Sequence, residues 1–565
     1  MKYKLLFIMP VLGFFILTGI IGCNTISGEY SPLNTNADTE ADTEATAADT
    51  EAEPLNPHLP STTGRPGTID GVRLWTLPDG PNGSLNPDQN WHSIGSDPGG
   101  DIYVSGMDHK ENSGLYRLYV REGQDRLGYI GDARTASQAA NNWHNETAEK
   151  FHNRPVYYDG HMYVATTDKT DLPGQYGDGG DYKNTRGFHW YTSSIETGDF
   201  VDISADQPGG VGYPQLQILT LAVDAENGYI YGMANAVVDI VQLDVDSGVT
   251  RNLGKPAAFG DIYVYGNRFM WVDSRGILYF SAGTTDWQWR NPAEANYNFS
   301  NLYAYNPATD SFSQSFPLQA AHAIEVGQWT RDRKHLYAMD DRGYLYRFND
   351  DGPSFDHLGE FIPGNGSVWS LQLSPDEKKI YAFWGEGAKQ LYEYDIASGD
   401  VTQLATAAQL STDVANQAFI TGYDAWDNNG SFYTGAFTMY GGGNVILMQI
   451  DPARVKAARG ISDGLIEASV SYDSTQETIS LHRSSSSSRG FDTLVSIEGF
   501  TNGERVKRIY TDYAIAAGAN VRSIPLADVR NAFNNPDAVD AIRFTLMADG
   551  NEYVTAGDTI VNIDL

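Results

Sequence analysis

Read for its alternation of apolar and polar positions, the chain repeats one device seven times. A short apolar strand meets a tight turn of Asp, Gly or Asn. A second strand of the form aromatic–small–apolar follows, and then a third. The second strands are Ile102-Tyr103-Val104-Ser105, Met162-Tyr163-Val164-Ala165, Tyr229-Ile230-Tyr231-Gly232, Ile277-Leu278-Tyr279-Phe280, His335-Leu336-Tyr337-Ala338, Ile380-Tyr381-Ala382-Phe383 and Phe432-Tyr433-Thr434-Gly435. Period-two alternation bounded by Asx or Gly turns marks antiparallel hairpins. Recurrence without helix-length periodicity between the copies predicts four-stranded propeller blades. The expected fold is all-β: a seven-bladed β-propeller over residues 66–455, with Val72-Arg73-Leu74-Trp75 as the outer strand that closes the ring. A β-sandwich is the rival, and seven copies of one internal pattern fit it poorly. After Asp451-Pro452 the texture changes. Strands are expected at 465–472, 477–482, 491–497, 542–548 and 559–563, with one short helix at 525–533 begun by Pro525. Residues 456–565 therefore read as a small β-rich accessory domain, packed against the propeller or binding carbohydrate.

The chain ahead of the blades has a different pattern. Lys2 and Lys4 precede an apolar run over residues 5–17, and Ile20-Ile21-Gly22-Cys23 has the form of a bacterial lipobox. The run is short and ends at a processing signal, so residues 1–23 are expected to be a lipoprotein signal peptide rather than a stable span. Cys23, the single cysteine of the chain, is the expected site of lipidation. An ordinary secretory signal with a chance cysteine is the alternative. Residues 24–65 carry almost nothing apolar, and Asp38, Glu40, Asp42, Glu44, Asp49, Glu51 and Glu53 alternate with Ala and Thr. This reads as a disordered, self-repelling acidic tether. The expected location is outside the cytoplasm, lipid-anchored at the bacterial outer membrane or cell surface, with release into the medium as an alternative.

Composition narrows the partners. The 72 acidic and 38 basic residues leave a formal charge of -34, which argues against nucleic acid. It argues less against an acidic polysaccharide, because a local cluster of Arg, Lys and His overrides the global sign. With one cysteine no disulfide forms within the chain, so packing alone must hold the fold, and a monomer is expected. The 34 Tyr, 11 Trp and 23 Phe suit strands first and sugar faces second.

Propeller geometry sorts the candidate chemistry. In each blade the approach to the innermost strand and the loop between strands two and three share one rim, where ligands usually sit. His152 stands at the start of blade 2, and His189 ends its long loop over residues 167–187. His109 lies in the matching loop of blade 1, and Trp143-His144 just before blade 2. Arg268 begins the inner strand of blade 4, and Tyr213 precedes that of blade 3. His161 and His335 fall on the opposite face. The competing reading is that these histidines order loop backbones, that Arg268 is a structural ion-pair partner and that Tyr213 is a rim aromatic. His, Tyr and Arg on one rim suit β-elimination in a uronic-acid polymer. Arg offsets the carboxylate charge, His takes the C5 proton, and Tyr or a second His protonates the departing O4. Hydrolysis instead wants two facing carboxylates, for which Asp108, Asp168 and Glu196 are the candidates.

Three stretches carry a resemblance. His152-Asn153-Arg154-Pro155-Val156-Tyr157-Tyr158-Asp159-Gly160, Tyr163-Val164-Ala165 and Arg186-Gly187-Phe188-His189-Trp190-Tyr191 resemble the active-site blade of the seven-bladed propeller polysaccharide lyases, and among them the ulvan lyases of marine bacteria. Ser96-Asp97-Pro98 through Asp108-His109 and Arg268-Phe269-Met270-Trp271-Val272-Asp273 agree. The resemblance covers the propeller and implies endo-acting β-elimination in a sulfated rhamnose–uronate polymer, leaving an unsaturated uronyl end. It implies catalytic roles for His152, His189 and Arg268, with Tyr213, Tyr191 and Tyr265 competing for that of the tyrosine. Tyr213 is taken as catalytic; His109, Trp143, His144, Tyr191 and Tyr265 are taken as substrate-binding. The long loop before His189 departs from a compact blade and leaves the pairing of the histidines open. The chemistry needs no cofactor. A structural divalent metal, calcium or zinc, is left open, with His109, His144 and His322 as ligand candidates.

Overall fold

The computed structural model describes residues 59–564 except 109–111, 121–124, 145, 168–185, 236–237, 260–267, 282–300, 319–323, 341–342, 362–367, 385–388, 416, 418, 428, 439–443, 460, 462–465, 484–490, 503, 516–520, 532, 534–538, 547–552 and 556–559. The signal peptide, Cys23 and nearly all of the expected tether lie outside the described residues. No described helix is long and apolar enough to cross a membrane.

The protein is an all-β propeller. Blade 1 is built from Ile94–Ser96, Ile102–Met107, Ser113–Leu118 and Arg126–Asp132, with Ser61–Thr63 added at its outer edge. Blade 2 comprises Val156–Tyr158, His161–Ala165, Trp190–Ser194 and Phe200–Asp202. Blades 3, 4 and 5 open on Ile218–Asp224, Trp271–Val272 and Ile324–Trp329. Blades 6 and 7 open on Ser370–Leu373 and Phe419–Tyr423, which pair in parallel and merge the two blades into one sheet. The strand Val72–Thr76 completes blade 7 from outside, antiparallel to Ile446–Ile450 with Leu74 opposite Met448. The sequence expectation of a ring closed by residues 72–75 is met.

Local chemistry explains the hairpins. Between Val156–Tyr158 and His161–Ala165 stand only Asp159 and Gly160, both at positive φ (43° and 75°). That is the backbone a two-residue hairpin of the right twist requires, and Gly160 meets nothing a Cβ would strike. Neighbouring blades then share their cores in sequence. Tyr103 and Leu115 pack with Met162, Val164 and Tyr191. Tyr163 and Trp190 pack with Ile218 and Ile230, and Tyr231 and Ile240 with Leu278 and Tyr303. Blades 4, 5 and 6 share one cluster, blades 6 and 7 another, and Trp75, Tyr433 and Leu447 return to Ile94 and Val104 of blade 1.

Several details differ from the sequence reading. The inner strand of blade 1, Ile94-Gly95-Ser96, is three residues long and too short to show alternation. In blade 2 the third strand is Trp190–Ser194; Gly187–Phe188 instead pairs with Tyr213–Pro214. A helix at Ala133–Ala139, capped by the Asp132 carboxylate on the Thr135 N–H, separates blades 1 and 2. After the ring, the helix Pro452–Ala458 begins at Pro452 with Asp451 as its cap. It belongs with the propeller, because Val455 packs into the blade 6–7 core and the buried Lys456 ion-pairs Glu393 at 3.1 Å. The C-terminal module is two four-stranded sheets, centred on Ile466–Asp473/Thr478–Arg483 and on Phe491–Thr501/Ala541–Leu546, around a core of its own. The helix expected there is present as Leu526–Arg530.

Leu74 is wholly buried in the closing strand. Its replacement, Leu74→Ala, is expected to cost about 2–5 kcal/mol in urea denaturation. Val201→Ala, at a position 47% exposed on the outer edge of blade 2, should stay within about 0.5 kcal/mol of wild type.

Candidate functional site

All seven inner strands begin on one face of the disc, so their lead-in residues converge on the axis. The lead-in of blade 1 is Asn90-Trp91-His92. Asn90 anchors it, donating from Nδ2 to the carbonyls of Ser105 (2.6 Å) and Ser93 (3.2 Å). The His92 amide donates to Thr421 Oγ1 of blade 7 at 3.3 Å, and His92 sits at φ +57°. In blade 2, Asn153 grips Ala165 like a strand partner, donating to its carbonyl at 2.6 Å and accepting from its amide at 3.1 Å. This fixes His152 beside it. The inner strands crowd closely here: a Cβ on Gly95 would fall 2.2 Å from the Pro155 carbonyl oxygen.

The converging side chains form one cluster. His152 stacks on Trp91, with centroids 6.0 Å apart and planes 12° apart. Trp91 also packs against Trp369 of blade 6 (5.2 Å) and Phe437 of blade 7 (4.8 Å). The Arg268 guanidinium, from blade 4, lies 5.5 Å from the Trp91 ring centroid and 5.2 Å from that of Trp369. Its Nη1 pairs with Glu325 Oε2 of blade 5 at 3.2 Å. On the other side Arg154 lies over Tyr423 at 5.3 Å and pairs with Asp424 at 2.7 Å. His92 completes the group, 6.0 Å from Trp369 and 6.4 Å from Tyr423.

Burial and charge set the protonation of the two imidazoles. Burial pushes His92 well below the usual histidine range, and the nearby Arg268 charge adds to it. Burial likewise pushes His152 down, followed by Arg268, Lys150 and His92. Both are neutral bases at pH 7. Burial raises the Tyr423 hydroxyl, which stays protonated. Both ring nitrogens of His92, and Nδ1 of His152, are buried without a hydrogen-bond partner among the described residues.

His189 is not in this cluster. Its Nδ1 lies 2.9 Å from Asp202 Oδ2 and its Nε2 3.3 Å from Glu146 Oε1, and it stacks on Tyr191. Arg186 donates to Glu146 at 2.8 Å and to the Asn142 carbonyl at 2.9 Å. Ser137 donates to Asp202 and meets the Tyr191 hydroxyl, each at 2.7 Å. This closed network ties the helix Ala133–Ala139 and residues 142–146 to the outer strands of blade 2. Burial alone would raise both carboxyls. Hydrogen bonds and charge from His189, joined by Arg186 at Glu146 and by Ser137 and Asn142 at Asp202, outweigh it and hold both below the usual carboxylate range.

The expected site residues thus divide. His152 and Arg268 come together with Trp91. His189 and Tyr191 belong to the blade 2 network, where Tyr191 is wholly buried and presents no face to a ligand. Tyr213, half-buried, pairs with Phe188 beside that network. Trp143 is half-buried under the Arg134 guanidinium (5.5 Å) and His144 is exposed. Of the candidate acids, Asp108 accepts from the Asn112 amide within its own loop, at 2.9 Å. Glu196 is a correction: the Ile195 amide bonds to the Gly160 carbonyl, which puts this turn on the face of His161, away from the cluster. His109, Asp168, Tyr265 and His322 lie outside the described residues. Among the described residues no three His, Cys, Asp or Glu gather as a metal site. The residues that sequence reading missed are Trp91, His92, Arg154, Glu325, Trp369 and Tyr423. Trp91-His92 stands before blade 1 as His152 does before blade 2, a signal hidden by the brevity of Ile94-Gly95-Ser96.

Comparison with known proteins names no family and no activity. No protein-family model and no curated protein matches the chain. Among solved structures it is similar to a chain of the mitotic checkpoint complex (11% identity, TM-score 0.41, covering 73% of this chain and 99% of that one). It is also similar to the extracellular domain of the hybrid two-component system BT3049 from B. thetaiotaomicron (14%, 0.41, 76% of this chain). There the match spans about half, 48%, of that chain. YCF48 bound to D1 peptide is a third (10%, 0.39, 67% and 95%).

The depressed carboxyls of Asp202 and Glu146 carry a sign that can be tested. Each binds its proton less readily folded than unfolded. Their stabilisation is therefore complete above the unfolded carboxylate pKa and is lost as pH falls through the folded one. Urea midpoints measured from pH 7 down to pH 3 should fall less steeply in Asp202→Asn than in wild type; parallel curves would contradict the clamp.

Proposed function

We propose that the protein is a polysaccharide lyase that cleaves a uronate polymer of the ulvan type internally by β-elimination, using the cluster on the propeller axis. The observation that carries this reading is the buried neutral imidazole of His152 beside the Arg268 guanidinium. The uronate carboxylate docks on Arg268, whose charge offsets the negative charge that spreads onto the carboxylate as C5 loses its proton. Neutral His152 takes that proton. The C5–H electrons become the C4=C5 double bond, the C4–O4 bond breaks, and O4 leaves with its electron pair. The imidazolium returns the proton to O4. The two acids of the cluster are engaged, Glu325 with Arg268 and Asp424 with Arg154, which does not suit a pair of hydrolytic carboxylates. The reading keeps the expected export and lipid anchor at Cys23.

One observation favours a second reading. Arg268 already has a carboxylate partner and two ring faces, as a purely structural hub would. A surface lipoprotein that binds glycan without cleaving it is therefore the alternative.

Incubation with ulvan, followed at 235 nm, separates the readings. A rise in absorbance reports the unsaturated uronate. New reducing ends without absorbance mean hydrolysis, and binding with neither signal means the non-catalytic protein. His152→Ala should lower kcat by about 10²-fold or more. His161→Ala, on the opposite face with its ring on the Asp159 carbonyl, should leave it unchanged.

A further inference from the structure

We propose that residues 60–66 are a strap that locks the ring seam from outside, so that the propeller is closed twice where blade 7 meets blade 1. The inference does not depend on the lyase reading. It gives a structural task to a segment that lies mostly within the expected tether.

The inner closure is the ladder of Val72–Thr76 on Ile446–Ile450, which completes blade 7. The strap reaches from that strand to blade 1. Ser61–Thr63 pairs antiparallel with the outer strand of blade 1, Ser61 opposite Gly128 and Thr63 opposite Arg126. The Tyr129 amide extends this pairing by donating to the Pro60 carbonyl at 2.9 Å. Only Gly64 separates that strand from Arg65–Pro66, which pairs with the closing strand of blade 7, Arg65 opposite Leu74. One short segment is thus an edge strand of both blades. Just beyond it the Gly67 amide donates to the Val72 carbonyl and the Thr68 amide to the Leu410 carbonyl, each at 2.8 Å. The second bond ties the strap to the connection between blades 6 and 7 as well.

Side chains cross the same seam. Thr62 Oγ1 donates to the Thr76 carbonyl at 2.7 Å, and Arg65 Nη1 to Thr76 Oγ1 at 3.0 Å. Arg65 also pairs with Asp413 at 2.9 Å. Arg73 of the closing strand pairs with Asp125, at the foot of the outer strand of blade 1, Nε to Oδ1 at 2.7 Å. Ion pairs this exposed add little, so the backbone pairing carries the strap. Its weak point is Gly64, where the chain passes from one blade to the other and donates its amide to the Asp125 carbonyl at 3.2 Å. A Cβ there would strike the Asp125 carboxylate and fall 2.6 Å from both Arg73 Nε and Trp75 Cε2. Asp125 and Arg73 are partly exposed and can swing aside at the loss of their pair, but Trp75 is 2% exposed and packed. The crossing therefore needs a glycine for close approach. Pro66 has no N–H to offer, so it ends the pairing and blunts the new outer edge.

Hydrogen–deuterium exchange of the full chain, read by mass spectrometry, tests the strap. Gly64→Val should speed exchange at least about tenfold in Val72–Thr76 and Arg126–Asp132, the strands on either side of the seam. Ile218–Asp224 of blade 3 and Ile324–Trp329 of blade 5 should exchange as in wild type. Thr63→Ala, at an exposed position of the same segment, should leave every blade unchanged. Where Gly64→Val does not fold, as judged by thermal melting, Gly64→Ala takes its place. Where neither folds, Thr62→Val, which deletes the bond to the Thr76 carbonyl without adding bulk, is read by the same criteria. Wild-type protection of both seam strands in the folded variant, or an equal rise in all blades, would overturn the strap as a lock on the seam.

Discussion

The antiparallel pairing of Val72–Thr76 with Ile446–Ile450 is the constraint on which the rest of this structure depends. A propeller has no central core; each blade is buried only by its neighbours, so an open ring would leave two blade faces in water. Pairing the chain's early strand with its late one removes both faces at once. It also puts Trp75 and Leu447 against Ile94 and Val104, which makes the blade 7–1 contact as apolar as the others. The bond pattern is an ordinary ladder, but its sequence span is nearly the whole ring. The loop-closure entropy grows only slowly with that span, and the closure commits every blade to one angular position.

Those angular positions place the chemistry. Arg268 can touch rings from blades 1 and 6 and a carboxylate from blade 5 because all four inner strands start at the same height around the axis. An arginine suits this hub better than a lysine would. Its planar guanidinium lies near both indoles while an edge pairs with Glu325. Burial keeps two imidazoles neutral nearby, and the Arg268 charge adds to it. Thus a chain with a formal charge of -34 still offers donors at the propeller axis.

The fold was legible because propeller blades advertise themselves. Aromatic–small–apolar second strands and Asx–Gly turns are local signals, and seven copies reinforce one another. The site was only half legible. His152 and Arg268 were found because each stands directly before a strand. Trp91 and His92 do so too, but their strand has three residues and one of them is Gly95, so no alternation revealed it. Glu325 and Tyr423 lie inside strands and read as ordinary strand residues. Their part in the site comes from which blade faces which across the axis, a property of ring closure that no local window contains. The helix at Ala133–Ala139 was also missed, though Asp132 ahead of an alanine-rich run is a cap signal.

His152 and His189 show why residue type and rim position were not sufficient. Both stand in blade 2, both are buried, and the sequence offered them as a pair. His152 meets an indole face and a guanidinium, so it is held neutral with a nitrogen unmet. His189 meets a carboxylate at each ring nitrogen and sits inside a network that includes Arg186, Asn142 and Ser137. The network secures the segment between blades 1 and 2, which ends at Glu149-Lys150-Phe151-His152.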